Sequence, residues 1–163
     1  MRIIQGDITK VECDAVVNAA NSELIAGGGV DGAIRACGGK RLEKALKQRE
    51  YLLEGHTITT LSFEMPCKVI IHTVAPRYSE KIRESDYEYT LGWCYKSCCE
   101  EALKLGCQSI AFPLLGTGAY GWPMELGKII AEEALKPFDE ELDIILVEYK
   151  LVAPPPLAES LNL

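Results

Sequence analysis

Gln108-Ser109-Ile110-Ala111-Phe112-Pro113-Leu114, followed one residue later by Gly116-Thr117-Gly118-Ala119-Tyr120-Gly121-Trp122-Pro123, reads as a buried strand running into a glycine-rich turn with a helix behind it. A run of that length with no alternation suits a strand covered on both faces. Pro123 suits the first position of the helix, where its missing N–H costs nothing and the other N-terminal N–H groups stay free for an anion. Strand, loop and helix in that order form the repeating unit of α/β proteins, and the rest of the chain keeps the alternation.

Strands are expected at 2–5, 13–18, 57–61, 68–74 and 142–149. Helices are expected over about 30–50 with an interruption at Gly38-Gly39, over 91–105, and around Leu126, Ile129, Ile130 and Ala134. The unbroken runs Val69-Ile70-Ile71 and Ile144-Ile145-Leu146-Val147 mark strands covered on both faces, so the expected architecture is a three-layer α/β/α sandwich. One domain, 1–150, is expected, with a Pro-rich C-terminal tail over 151–163 where Pro154-Pro155-Pro156 stops regular structure.

The 163 residues suit one domain, and 48% hydrophobic with 25% charged residues is an ordinary balance for a globular protein. A net charge of −7 argues against sequence-blind nucleic-acid binding, which rests on lysine and arginine. No apolar run reaches the roughly 18 residues of a membrane span and no secretory leader pattern is visible, so a cytoplasmic location is expected. Seven cysteines, an odd number at core-like positions, suit a reducing compartment better than a disulfide framework. Zinc is the alternative, with Cys94 and Cys98 on one helical face and His56 and His72 elsewhere, but no C-x-x-C pair supports it.

A second glycine cluster, Gly27, Gly29 and Gly32, repeats the G-x-G-x-x-G spacing of Gly116, Gly118 and Gly121. One such loop is a weak signal; two suggest two phosphates. Neither ends in Gly-Lys-Ser/Thr, so the phosphates would be held by backbone N–H groups and helix N-termini without a lysine and magnesium. In a Rossmann turn the glycines would stand at the strand end, yet Asn18-Ala19-Ala20-Asn21 intervenes here and Asp31 sits beside the glycines. Glu148, the candidate ribose acid for a dinucleotide site after the later loop, falls beyond the usual spacing of about 20 residues. Taken separately, Asp31 suits a first-turn acid, Asn21 a turn residue, and Thr117 either a phosphate donor or a locally satisfied hydroxyl.

Four stretches in order, Gln5-Gly6-Asp7-Ile8-Thr9, Asn18-Ala19-Ala20-Asn21, Gly27-Gly28-Gly29-Val30-Asp31-Gly32-Ala33-Ile34 and Gly116 through Pro123, resemble the macrodomain family, and within it the MacroD-type hydrolase branch. The resemblance runs from Met1 to about Tyr149. It implies a mixed central sheet flanked by helices and a cleft for ADP-ribose. The activity it implies is removal of mono-ADP-ribose from protein Asp/Glu esters, deacetylation of O-acetyl-ADP-ribose, or both. By similarity Asp7 accepts the adenine amino group with the Ile8 backbone beside it, and Tyr149 lines the adenine pocket. Gly27, Gly28, Gly29 and Val30 in the first loop and Gly116, Thr117, Gly118, Ala119 and Tyr120 in the second bracket the diphosphate and distal ribose. Asn21 holds that ribose and Asp31 orients or activates water, making these two the candidate catalytic residues. The chemistry asks for a held sugar, a placed water and a proton acceptor, which a carboxylate or a substrate phosphate supplies.

No metal and no cofactor is implied. The expected partners are ADP-ribose or O-acetyl-ADP-ribose and mono-ADP-ribosylated proteins, met by a monomer. Three departures bear on leaving-group preference: Arg35 where the family usually has histidine, Gly116 opening the second loop where serine is usual, and Lys150 where aspartate is frequent. The same loops without chemistry would make an ADP-ribose reader. A poly(A) or RNA-end binder and an NAD-dependent oxidoreductase rank below it.

Overall fold

The computed structural model describes residues 1–149; Lys150 and the proline-rich tail lie outside them. Strands β1 (Arg2–Gly6), β2 (Ala15–Ala19), β3 (Thr57–Leu61), β4 (Val69–Thr73), β5 (Ser109–Pro113) and β6 (Asp143–Tyr149) form one sheet in the order β1-β6-β5-β2-β4-β3. Every neighbouring pair is parallel except β3 with β4, so the sheet is mixed, with one antiparallel edge.

Four helices cover it: α1 (Gly29–Gly38) and α2 (Lys40–Lys47) on one face, α3 (Leu91–Lys104) and α4 (Met124–Leu135) on the other. The strands divide their side chains between these layers with the period of two that a pleat imposes. Val17, Ile71, Ile110, Phe112, Ile144 and Leu146 pack under α3 and α4, whereas Val16, Ile70, Ala111, Ile145 and Val147 pack under α1 and α2. The unbroken apolar runs of the central strands are the consequence, since both faces are dry. At about 1.5–3 kcal/mol for each large apolar side chain removed from water, the two cores supply the main favourable contribution to folding. The expected interruption near Gly38-Gly39 is real: Gly39, at φ +82°, turns the chain between α1 and α2 in a conformation that L side chains rarely adopt. No helix among the described residues is long and apolar enough to cross a membrane.

The site is positioned by a split in the sheet. β2 and β5 pair only at Ala15↔Ile110 and Val16↔Ala111. By contrast β2 keeps its register with β4 as far as Ala19↔Thr73, and β5 with β6 as far as Pro113↔Val147. Beyond Val16 the two middle strands therefore part company at their carboxyl ends. The chain leaving β2 goes to the α1 face and the chain leaving β5 goes to the α4 face. Loops diverging to opposite faces from adjacent parallel strands form a topological switch point, the place where open α/β sheets bind ligands.

Candidate functional site

Both glycine loops rise from this split. The N–H groups of Gly28, Gly29 and Val30 in the first loop, and of Gly118, Ala119 and Tyr120 in the second, have no hydrogen-bond acceptor among the described residues. Backbone donors left open in glycine turns and at a helix N-terminus form a concavity suited to an anion. Space is kept for one: a Cβ at Gly28, Gly29 or Gly118 would meet no protein atom within 4 Å.

The second loop is braced from behind. Buried Trp122 packs against Tyr78 and Tyr87, and its Nε1 donates to the Pro76 carbonyl at 2.8 Å. Gly116, at φ +78°, is required by this packing, because a Cβ there would lie 2.6 Å from Trp122 Cδ1. Trp122 thus supports the loop from the core side. Tyr120 lies under the Arg77 guanidinium, 4.7 Å from the ring centroid, and its carbonyl accepts from Tyr78 N–H. Thr117 spends its hydroxyl proton on the Leu114 carbonyl at 2.8 Å. Pro123 is the residue before α4 rather than its first, with ψ 135°; its carbonyl, not its ring, enters the helix by accepting from Gly127 N–H.

The first loop is held by a buried charged network. Asp31, in the first turn of α1 and only 4% exposed, accepts from Asn18 Nδ2 at 2.8 Å through Oδ1. Its Oδ2 accepts from Gly27 N–H at 2.7 Å and Arg35 Nε at 2.9 Å. The register of β2 with β4 sets Asn18 beside His72, and Asn18 Nδ2 also lies 3.1 Å from His72 Nδ1. Because that amide nitrogen can only donate, Nδ1 is the acceptor and Nε2 carries the proton toward Thr60 Oγ1 at 3.0 Å. Burial, with the Arg35 and Arg49 charges adding to it, pushes the His72 pKa down to about 3, so the ring stays neutral. Asn18 Oδ1 is buried without a hydrogen-bond partner among the described residues, an open acceptor at the heart of the network. Asn21 closes its own turn, donating to the Ile25 carbonyl at 2.8 Å and accepting from Ile25 N–H at 3.1 Å.

The remaining predicted residues gather where β1 and β6 end. Gly6 pairs with Tyr149, so Asp7 follows directly beside the last described strand residue. Asp7 caps a short 3-10 turn at Ile8–Lys10, accepting from Thr9 N–H at 2.9 Å and Thr9 Oγ1 at 2.7 Å, both on Oδ1. Among the described residues Oδ2 has no hydrogen-bond partner. The Ile8 side chain is buried in the core under α1, and its carbonyl accepts from Val11 N–H at 3.3 Å. Tyr149 is 64% exposed.

Sequence reasoning passed over Asn18, Arg35, Glu43 and His72 as members of one site. The zinc alternative that joins His72 to Cys94 and Cys98 fails, because both thiols belong to α3 and lie in the core with Phe112, across the sheet from His72. Among the described residues no group of three or more His, Cys, Asp or Glu could hold a metal ion. Glu148 is occupied by an ion pair with Lys128. A separate concavity between α3 and the start of β3, lined by Gly55, His56, Trp93, Ser97, Glu101 and Lys104, contains no glycine loop of this kind.

Comparison with known proteins agrees with this geometry. The family model described as Macro domain matches residues 17–131. An O-acetyl-ADP-ribose deacetylase of Escherichia fergusonii is 39% identical over 142 residues, covering 85% of this chain and 79% of that protein. The human ADP-ribose glycohydrolase MACROD2 is 40% identical over 134 residues, covering 82% of this chain but 31% of that longer protein. The structure of the Oceanobacillus iheyensis macrodomain with ADP superimposes with a TM-score of 0.83 at 34% identity, covering 92% of this chain and 84% of that one. With a fold, a split sheet and paired glycine loops of this kind, and with relatives at this level of identity across most of its length, the chain belongs to the Macro domain family.

Proposed function

We propose that the crevice between β2 and β5 binds ADP-ribose and that the protein hydrolyses the bond joining its distal ribose to an acyl group, on a protein Asp or Glu or on acetate. The observation that carries this reading is the pair of open N–H sets, Gly28 to Val30 and Gly118 to Tyr120, on the two sides of one sheet split. Two such sets match a diphosphate, and Asp7 with Oδ2 in hand suits an adenine amino group one strand pair away. Tyr149 stands at the same end. The named activities of the deacetylase and glycohydrolase relatives supply the reaction class.

Within that reading Asp31 orients and does not abstract. Of about four lone-pair sites on a carboxylate, three are taken by Asn18, Gly27 and Arg35. For a protein carboxylate linked at C1″, the water gives its proton to a phosphate oxygen of the substrate as its oxygen bonds to ribose C1″, and the C1″–O bond breaks with the carboxylate leaving as an anion. Asn21 and the glycines fix the ribose for that attack. Tyr120 closes over the ribose from the second loop.

The test is release of free ADP-ribose from a protein mono-ADP-ribosylated on glutamate, followed by mass spectrometry. Release by the wild type and its loss in Asn21→Ala support the hydrolase. Binding of ADP-ribose with no release in either would make the protein a reader of the modification.

A further inference from the structure

We propose that Arg35 and Glu43 are positioning residues for this site, holding the Asp31 carboxylate and the first glycine loop in the shape that receives the distal end of the ligand. The inference rests on the functional reading above. Arg35 is 5% exposed, and its guanidinium reaches three separate pieces of chain. Nε donates to Asp31 Oδ2 at 2.9 Å in α1. One terminal nitrogen donates to Glu43 Oε1 and Oε2 at 3.1 and 3.2 Å in α2, and the other to the Leu24 carbonyl at 2.9 Å in the loop.

The two loop contacts show what the pair does. Leu24 stands at φ +56°, a conformation that an L-residue holds only when its surroundings enforce it. Its carbonyl is the one Arg35 binds. Three residues on, Gly27 donates to the same Asp31 oxygen that Arg35 binds. A single cation thus fixes the loop at Leu24 directly and at Gly27 through Asp31, on either side of the residues that lead to the open N–H groups.

Glu43 fixes the cation. It is a third exposed and takes no other part in the network, so its contribution runs through Arg35. A lysine at position 35 would be a point charge without the planar fork needed to reach acceptors in three directions. The expectation is a pair whose two members act as one unit on the loop.

The experiment compares wild type, Glu43→Gln, Arg35→Lys and the double variant by amide hydrogen exchange and by turnover of glutamate-linked ADP-ribose. Glu43→Gln, at a partly exposed site, keeps the protein folded. Exchange at Gly27 should quicken about tenfold or more in either single variant, while central-sheet amides such as Val17 and Phe112 keep their protection. Turnover number should fall about fivefold while KM rises by less, within about twofold, because the first loop is loosened here rather than displaced and Asp7 and the second loop are untouched. The double variant should be no worse than Arg35→Lys, the non-additivity of residues acting together. Gly27 exchange unchanged in both single variants, or additive effects on turnover, would overturn the proposal and leave the pair a brace between two helices. A wild type that releases no ADP-ribose would sink the hydrolase reading instead, and Gly27 exchange would still decide the positioning role.

Discussion

Asp31→Ala should destabilise the protein as well as lower its activity. The substitution strips the acceptor from Asn18 Nδ2, Gly27 N–H and Arg35 Nε, all three in or beside the buried network. Removing one partner of a buried ion pair costs about 3–5 kcal/mol, chiefly because the other charge is left uncompensated. Arg35 keeps Glu43 and the Leu24 carbonyl, so the low end, about 3 kcal/mol, applies here. At about 2–4 °C per kcal/mol for a domain of this size, the melting temperature should fall by about 6–12 °C. Asp31→Asn keeps the shape and one acceptor, but its amide must face either Asn18 Nδ2 or the Gly27 and Arg35 donors. Its cost should be smaller, about 2 kcal/mol. Thermal and urea unfolding of the three proteins at pH 7.5 measures both. An Asp31→Ala melting temperature within about 2 °C of wild type would show that Asp31 and Arg35 do not form a stabilising buried pair.

Three other outcomes follow from the same geometry. A Cβ at Gly32 would lie 2.8 Å from the Gly27 carbonyl oxygen, a backbone atom, so Gly32→Ala should displace the first loop and weaken ADP-ribose binding about tenfold by calorimetry. Gly116→Ala combines φ +78° with a 2.6 Å approach to Trp122; about 2–4 kcal/mol of stability should be lost by urea titration, from backbone strain and overpacking together. The His72 pKa is about 3 when folded and about 6.5 when unfolded, so below pH 6.5 the unfolded chain binds a proton that the native ring refuses. This contribution is fully present above pH 6.5 and is lost as pH falls toward 3, at up to about 1.4 kcal/mol per pH unit. Unfolding free energies of wild type and His72→Gln across pH 7.5 to 4.5 should therefore converge on acidification, and parallel curves would contradict the burial of a neutral ring.

The alternation of strand and helix was legible because each central strand is buried on both faces and each glycine turn punctuates the chain. The order of the strands was not. Nothing in the composition of β2 or β5 announces that they pair at two positions and then separate, since that depends on which face each following loop takes. Asp31 was visible as a first-turn acid and as a motif residue, but its partners were not. Asn18 and His72 stand 54 residues apart and meet only through strand register. Arg35 and Glu43 are eight residues apart, which on one continuous helix would hold them about 12 Å apart along the axis; the turn at Gly39 brings them into contact. Arg35 is visible in the sequence as a departure from the family pattern, but its three partners, Asp31, Glu43 and the Leu24 carbonyl, are not.

That two loops on opposite sides of a split sheet hold one ADP-ribose is tested by titrating the ¹⁵N-labelled protein with ADP-ribose and following amide chemical shifts. The amides of Gly28 to Val30 and of Gly118 to Tyr120 should move together, with one dissociation constant and one ligand per chain. Movement of one loop alone, or shifts gathered instead around Gly55, Trp93 and Lys104, would contradict it.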